Sequence, residues 1–248
     1  MKELIDEVWR IYEETDEDYI VRPSVPILFF GDSRRFLQSA CRIITVGLNP
    51  SRMEFPTNTL LRFPSALSVE GTLRTDDQRS AYHQALDSYF RIRPYTNWFN
   101  AYEPFLQGLE CSYYGDKVNV ALHTDICSPL ATDPTWSKLP SKEAKRLESE
   151  GKKLWHSLVA YLAPDIIIVS VATKHLQKIT QQPLAAWDTI YTIDRNNPYS
   201  VRLIETTLAE GKKTYIVFGT AARKPFGKVS DVDKKTIGKA IRQRIWAI

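Results

Sequence analysis

Residues 41–51 read Cys41-Arg42-Ile43-Ile44-Thr45-Val46-Gly47-Leu48-Asn49-Pro50-Ser51. An apolar, β-branched run stops at Gly47, and Asn, Pro and Ser soon follow. The run has the composition of a parallel strand buried on both faces, and the break that of a tight turn. Gly47 is expected to permit the turn, while Pro50 fixes its own φ and pushes Asn49 toward extended backbone. Asn49 is thereby predicted at the carboxyl end of a strand, where open α/β sheets place their ligands.

Working outward, apolar residues at helical spacing (Leu4, Ile5, Val8, Trp9, Ile11, Tyr12) predict a first helix from Lys2 to about Glu14. A short strand is expected at 27–30, then a helix over 34–40 capped by Asp32 or Ser33. Residues 52–75 are rich in Pro, Ser and Thr without a period; a loop this long is more often functional than idle. Helices are expected at 76–90 and 98–109, and a second buried strand at 118–122 ending in His123-Thr124-Asp125. Ser141 is placed to cap a long helix to about residue 161. An apolar strand at 165–171, a short helix through His175, a hairpin pairing 189–193 with 201–207 around Asn196-Asn197-Pro198, a strand at 214–218 and a basic helix at 231–246 complete the chain. The alternation predicts one α/β domain over 1–248, a three-layer α/β/α arrangement with a short, mostly parallel central sheet.

The totals exclude several classes. At 248 residues, 43% hydrophobic and 25% charged, the chain has enough length for a sizeable core. A net charge of +4 permits an anionic partner without demanding one. Cys41, Cys111 and Cys127 are far apart and form no CxxC pair, which argues against zinc or an iron–sulfur cluster and for reduced thiols in the cytoplasm. The acidic, amphipathic amino terminus is unlike a signal peptide, and no apolar stretch approaches the ~20 residues of a bilayer span.

Three strand ends carry chemistry: Asn49, His123 with Asp125, and Arg223 with Lys224. Here the chain resembles the uracil-DNA glycosylase superfamily over roughly residues 42–228. Gly47-Leu48-Asn49-Pro50-Ser51 is similar to its first motif, in the Asn-Pro form of mismatch-type members. Leu122-His123-Thr124-Asp125 occupies the place of the base-reading strand end, and 219–226 that of the DNA-intercalating loop. The His-Pro-Ser pattern of that last loop is absent, as are the cysteines of cluster-bearing members. The resemblance extends to members that act in antiviral defence on glucosylated hydroxymethylcytosine of phage DNA.

The resemblance implies a cofactor-free, metal-free monomer that acts on DNA, flips out a base and hydrolyses its N-glycosidic bond through an oxocarbenium-like transition state. Asn49 would orient the attacking water by positioning rather than proton removal. His123, or backbone N–H groups near it, would stabilise the departing base. Gly47 and Asp125 would contact the base, Phe55 or Phe63 would stack on it, and Ser51, Arg52, Arg223 and Lys224 would engage flanking DNA. Superfamily members commonly have Asn where Asp125 stands. An ionised carboxylate only accepts hydrogen bonds and so suits the exocyclic amine of cytosine better than uracil's edge. No Lys stands at the motif positions, so no Schiff-base lyase step is expected.

Plainer roles stand beside these. Asn49 can merely satisfy a turn, Asp125 and Thr124 can cap one, and His123 can be a half-buried hydrogen-bonding group. Phe55 and Phe63 can anchor the long loop, and the arginines and lysines can be a solvated face. A uracil or mismatch repair glycosylase, a catalytically silent DNA-binding protein of the same fold, and a nucleoside hydrolase are the alternative functions.

Overall fold

In the computed structural model, residues 43–47 form strand β1 (Ile43–Gly47), buried throughout. The structure describes residues 1–69, 71–115, 117–193, 196, 198–207 and 211–246. Helices α1 (Lys2–Glu14) and α2 (Ser33–Gln38) precede β1. After it come α3 (Asp76–Asp87), α4 (Tyr89–Ile92), α5 (Thr96–Phe99), α6 (Glu103–Gly108), β2 (Cys111–Ser112), β3 (Asn119–Asp125) and α7 (Ser141–Leu162). β4 (Ile166–Val169), β5 (Asp188–Ile193), β6 (Tyr199–Thr207), β7 (Lys213–Phe218) and α8 (Asp231–Trp246) follow. Among the described residues, seven strands form a sheet in the order β2-β3-β1-β4-β7-β6-β5. β2–β3, β1–β4 and β4–β7 pair in parallel, whereas β5–β6 and β6–β7 are antiparallel. The fold is α/β on a mostly parallel sheet, consistent with the expected three-layer α/β/α class.

Backbone contacts group the chain into two compact units. The first comprises Met1–Arg34, Gly47–Tyr95 and His123–Leu162; the second comprises Arg35–Val46, Thr96–Leu122 and Ala163–Ile248. Strands β1 and β3 thus pass their last residues, Gly47 and His123–Asp125, into the first unit.

In the first unit, α1 buries the face carrying Ile5, Val8, Trp9, Ile11 and Tyr12 and packs on α7 and α3. The indole of Trp9 meets the rings of Tyr12 and Tyr82 edge-on, at 5.4 and 5.5 Å. Thr75 and Gln78 form a reciprocal capping box that starts α3. Gly151 lets α7 approach the chain after β3; a Cβ there would stand 2.2 Å from the carbonyl oxygen of Cys127. The Trp155 indole of the same helix donates to Thr124 Oγ1 at 3.0 Å.

In the second unit, the register Ile43↔Ile166 and Val46↔Val169 pairs mostly apolar runs that are buried throughout, as a doubly covered parallel sheet requires. Gly108 and Gly238 allow α6 and α8 to touch: a Cβ on Gly108 would meet the Lys235 carbonyl at 2.3 Å. Phe226 lies against Phe105 and receives its backbone anchor from Ser170 Oγ at 2.9 Å.

Several expectations are corrected. Residues 27–30 make no strand; Phe30 alone bridges His123, and Ile27 N–H instead bonds Pro129 O at 2.8 Å. The N–H of Ser33, a residue within α2, is bonded by Asp87 Oδ1 at 2.9 Å, so a remote carboxylate serves the start of that helix. The helix expected over 76–90 breaks at Ser88, and that over 98–109 divides because Pro104, without an N–H, begins a new helix rather than continuing one. Residues 52–75 contain short 3-10 turns at Arg52–Glu54, Pro56–Asn58 and Pro64–Val69. β3 runs on through His123-Thr124-Asp125, whose polar side chains are buried within the strand. β5 and β6 form the expected hairpin, although Asn197 in its turn lies outside the described residues.

Candidate functional site

The turn after β1 is laced to the chain after β3. Gly47 O accepts from Ile126 N at 3.1 Å, and Leu48 O accepts from Cys127 N at 2.8 Å and Ser128 N at 3.3 Å. Pro50 O accepts from Thr132 N at 3.3 Å, and Ser51 bridges Thr132 in parallel. Between these ties sits Asn49, half-buried. Its Nδ2 donates to Thr132 Oγ1 at 2.9 Å and to Leu130 O at 3.2 Å. A backbone carbonyl can only accept, so this contact fixes which end of the amide faces inward. Oδ1 is left as an acceptor with no bond to a described residue.

Gly47 is needed for a different reason from the one expected. It is the last residue of β1 and takes no left-handed φ. A Cβ added there would lie 2.4 Å from Asp125 Oδ1 and 2.9 Å from His123 Nε2. The glycine makes room for two side chains that converge on it from β3. His123 Nε2 and Asp125 Oδ1 are 3.6 Å apart and both side chains are almost fully buried. His123 is held by two backbone bonds to Phe30, at 2.9 and 3.0 Å. Asp125 is also one of the residues lining a small cavity of about 10 Å³, with Ile27, Leu28, Pro129, Leu154 and Trp155.

Phe55 and Phe63 are wholly buried. They stack on each other at 5.5 Å, Phe63 stacks on Tyr89 at 5.4 Å, Tyr89 meets Phe30 at 4.7 Å, and Phe30 leans on His123 at 5.7 Å. This file of rings ties the long loop to the end of β3. The expectation that Phe55 or Phe63 offers a stacking face for a base is corrected accordingly, since no face of either ring reaches solvent.

Glu54 was missed by sequence reasoning. Its carboxylate is buried, accepts from Tyr89 Oη at 2.5 Å and lies 4.0 Å from Arg62 Nε. Burial pushes the carboxyl up to about 7; the Tyr89 hydrogen bond and the Arg62 cation oppose this, and the charge of Asp125 adds to it. Thr132, which anchors Asn49, was missed as well. Neither has a signal in spacing: Glu54 reads as an ordinary loop acid, and Thr132 lies far from Asn49 in sequence.

Ser51 Oγ accepts from Met53 N at 3.2 Å and caps the Arg52–Glu54 turn. Arg52 is exposed, with Asp133 at 3.1 Å and Asn58 Oδ1 at 2.8 Å. Arg223 and Lys224 belong to the second unit and are exposed in a tight turn, where Arg223 adopts φ 61°. Among the described residues, no helix is long and apolar enough to cross a membrane. The chain matches no model of a known protein family and no curated protein.

Proposed function

We propose that the chain is a monofunctional DNA glycosylase, a cytoplasmic monomer that flips a base and hydrolyses its N-glycosidic bond. Its favoured substrate is a modified cytosine such as glucosylated hydroxymethylcytosine of phage DNA. The carrying observation is the Asn49 amide, whose Nδ2 is held by Leu130 O and Thr132 Oγ1 while Oδ1 carries no bond to a described residue. An oxygen fixed in that way can hold a water against the far face of a sugar. The water oxygen attacks C1′ and the C1′–N bond breaks, its electron pair leaving with the base. The excess proton of the water passes to solvent. His123 or neighbouring N–H groups stabilise the base anion. Asp125 accepts from the exocyclic amine, which uracil lacks.

The test is mass spectrometry of bases released from duplexes containing uracil, cytosine or glucosylated hydroxymethylcytosine, with free nucleosides alongside. The modified cytosine is expected to be released, and Asn49→Ala to slow release by roughly 10²-fold with DNA binding retained. Release from the uracil duplex alone would overturn the substrate. Binding without release from any DNA would make the chain a silent DNA-binding protein.

A further inference from the structure

Residues 53–63 follow the Asn49 turn and are fastened to the rest of the first unit at few points. Among the described residues, two hydrogen bonds run from this segment to elements beyond its chain neighbours. Tyr89 Oη donates to Glu54 Oε2 at 2.5 Å, and Arg62 Nη1 donates to Arg93 O. Arg62 Nε donates back to Met53 O at 3.2 Å, which closes the segment on itself, and its guanidinium lies 5.8 Å from the centre of the Tyr95 ring. Between these ties, Thr57 and Asn58 take φ of 55° and 53°. A left-handed conformation costs a β-branched residue energy and persists only where its surroundings hold it.

The groups that face Glu54 are Tyr89 of α4, Arg62 of the segment itself and Asp125 of β3. Arg62 stands 4.0 Å from Oε2, beyond hydrogen-bond reach, and Asp125 repels a second negative charge. An ionised Glu54 would therefore hold one hydrogen bond, from Tyr89, in a site closed to water. Opening the segment hydrates that charge. We propose that residues 53–63 form a pH-controlled flap, shut while Glu54 keeps its proton and loosened when the proton leaves for solvent. The buried rings of Phe55 and Phe63 keep the shut form in the majority, so pH sets the size of a minor open population. Opening uncovers those rings beside the Asn49 turn, whereas the bonds that hold Asn49 run to Leu130 and Thr132 and stay intact. The flap does not depend on the glycosylase reading.

Hydrogen–deuterium exchange with mass spectrometry, corrected for intrinsic rates, tests this on the parent, Glu54→Gln and Arg62→Gln at pH 5 and 7.5. The amides of Glu54, Phe55, Asn58 and Phe63 are hydrogen-bonded and report opening. With the covered carboxyl at about 7 and the hydrated one at its ordinary 4.5, opening in the parent is expected to rise about 50-fold between the two conditions. Glu54→Gln is expected to show no such rise, and Arg62→Gln to open more at both pH values. Circular dichroism checks that each variant is folded, and the parent's own pair of conditions stands without them. Protection of 53–63 that is the same at both pH values in the parent overturns the flap, as does an equal rise in Glu54→Gln. Equal protection of 53–63 and α7 at each pH also overturns it, because Glu54 would then meet water only when the whole unit unfolds.

Discussion

Replacing Glu54 by Gln isolates the energetic consequence of a buried acid. A carboxyl with an ordinary value of 4.5 titrates here at about 7, chiefly because burial disfavours the charged form. The folded state therefore holds a proton that the unfolded chain releases between those two values, so stability falls as pH rises through that window. At about 1.4 kcal/mol per pH unit, the loss between pH 4.5 and 7 is ~3 kcal/mol. Gln keeps an oxygen for the Tyr89 hydroxyl and cannot ionise, so the variant lacks this slope. Urea unfolding of parent and variant at several pH values gives the difference directly, and other titrating groups cancel in it. Near pH 5 the two are expected to differ by about 1 kcal/mol or less, on the scale of one neutral hydrogen bond. By pH 8 the variant should have gained ~3 kcal/mol relative to the parent. A difference that stays flat, or that moves against the variant with rising pH, refutes the reasoning; it would mean that Arg62 keeps Glu54 charged.

Two further substitutions address the site. Gly47→Ala forces a methyl group against Asp125 and His123; it is expected to lower stability by about 1–3 kcal/mol and base release by on the order of 10²-fold. Parental melting and activity would refute the close packing. Thr132→Val removes one of the two acceptors that hold Asn49 Nδ2. It should lose about 1 kcal/mol in urea unfolding and slow base release without changing DNA affinity by anisotropy; undiminished release would show that Leu130 O alone holds the amide.

The sheet was legible where hydrophobic runs are continuous. Residues 43–47 and 166–169 are buried on both faces, and runs of mostly apolar, β-branched residues say so directly. Helix ends were less legible, because the break at Ser88 and the restart at Pro104 depend on tertiary neighbours as much as on local preference. At the site, Asn49 stood out because Gly and Pro punctuate its turn. The importance of Gly47 was visible but its reason was not: the space it leaves is set by His123 and Asp125, far along the chain. Glu54 was illegible for a related cause. A loop carboxylate in sequence becomes a buried acid only when Phe55, Phe63 and Tyr89 close around the turn that carries it.

Asp125 and Glu54 together bear on which base would leave. Among the described residues, Asp125 makes no bond of the kind that would make it a turn cap; it sits inside β3 against His123 and Gly47. Its charge is one of the causes that keep a proton on Glu54. A carboxyl that burial holds in its neutral form can donate a hydrogen bond, whereas an ionised one can only accept. If the proposed glycosylase presents its base to Asp125, an acceptor there favours a base with an exocyclic amine, because a base offering only carbonyl oxygens would set lone pairs against a carboxylate. The pH dependence of Glu54→Gln tests whether Glu54 is the carboxyl that keeps its proton.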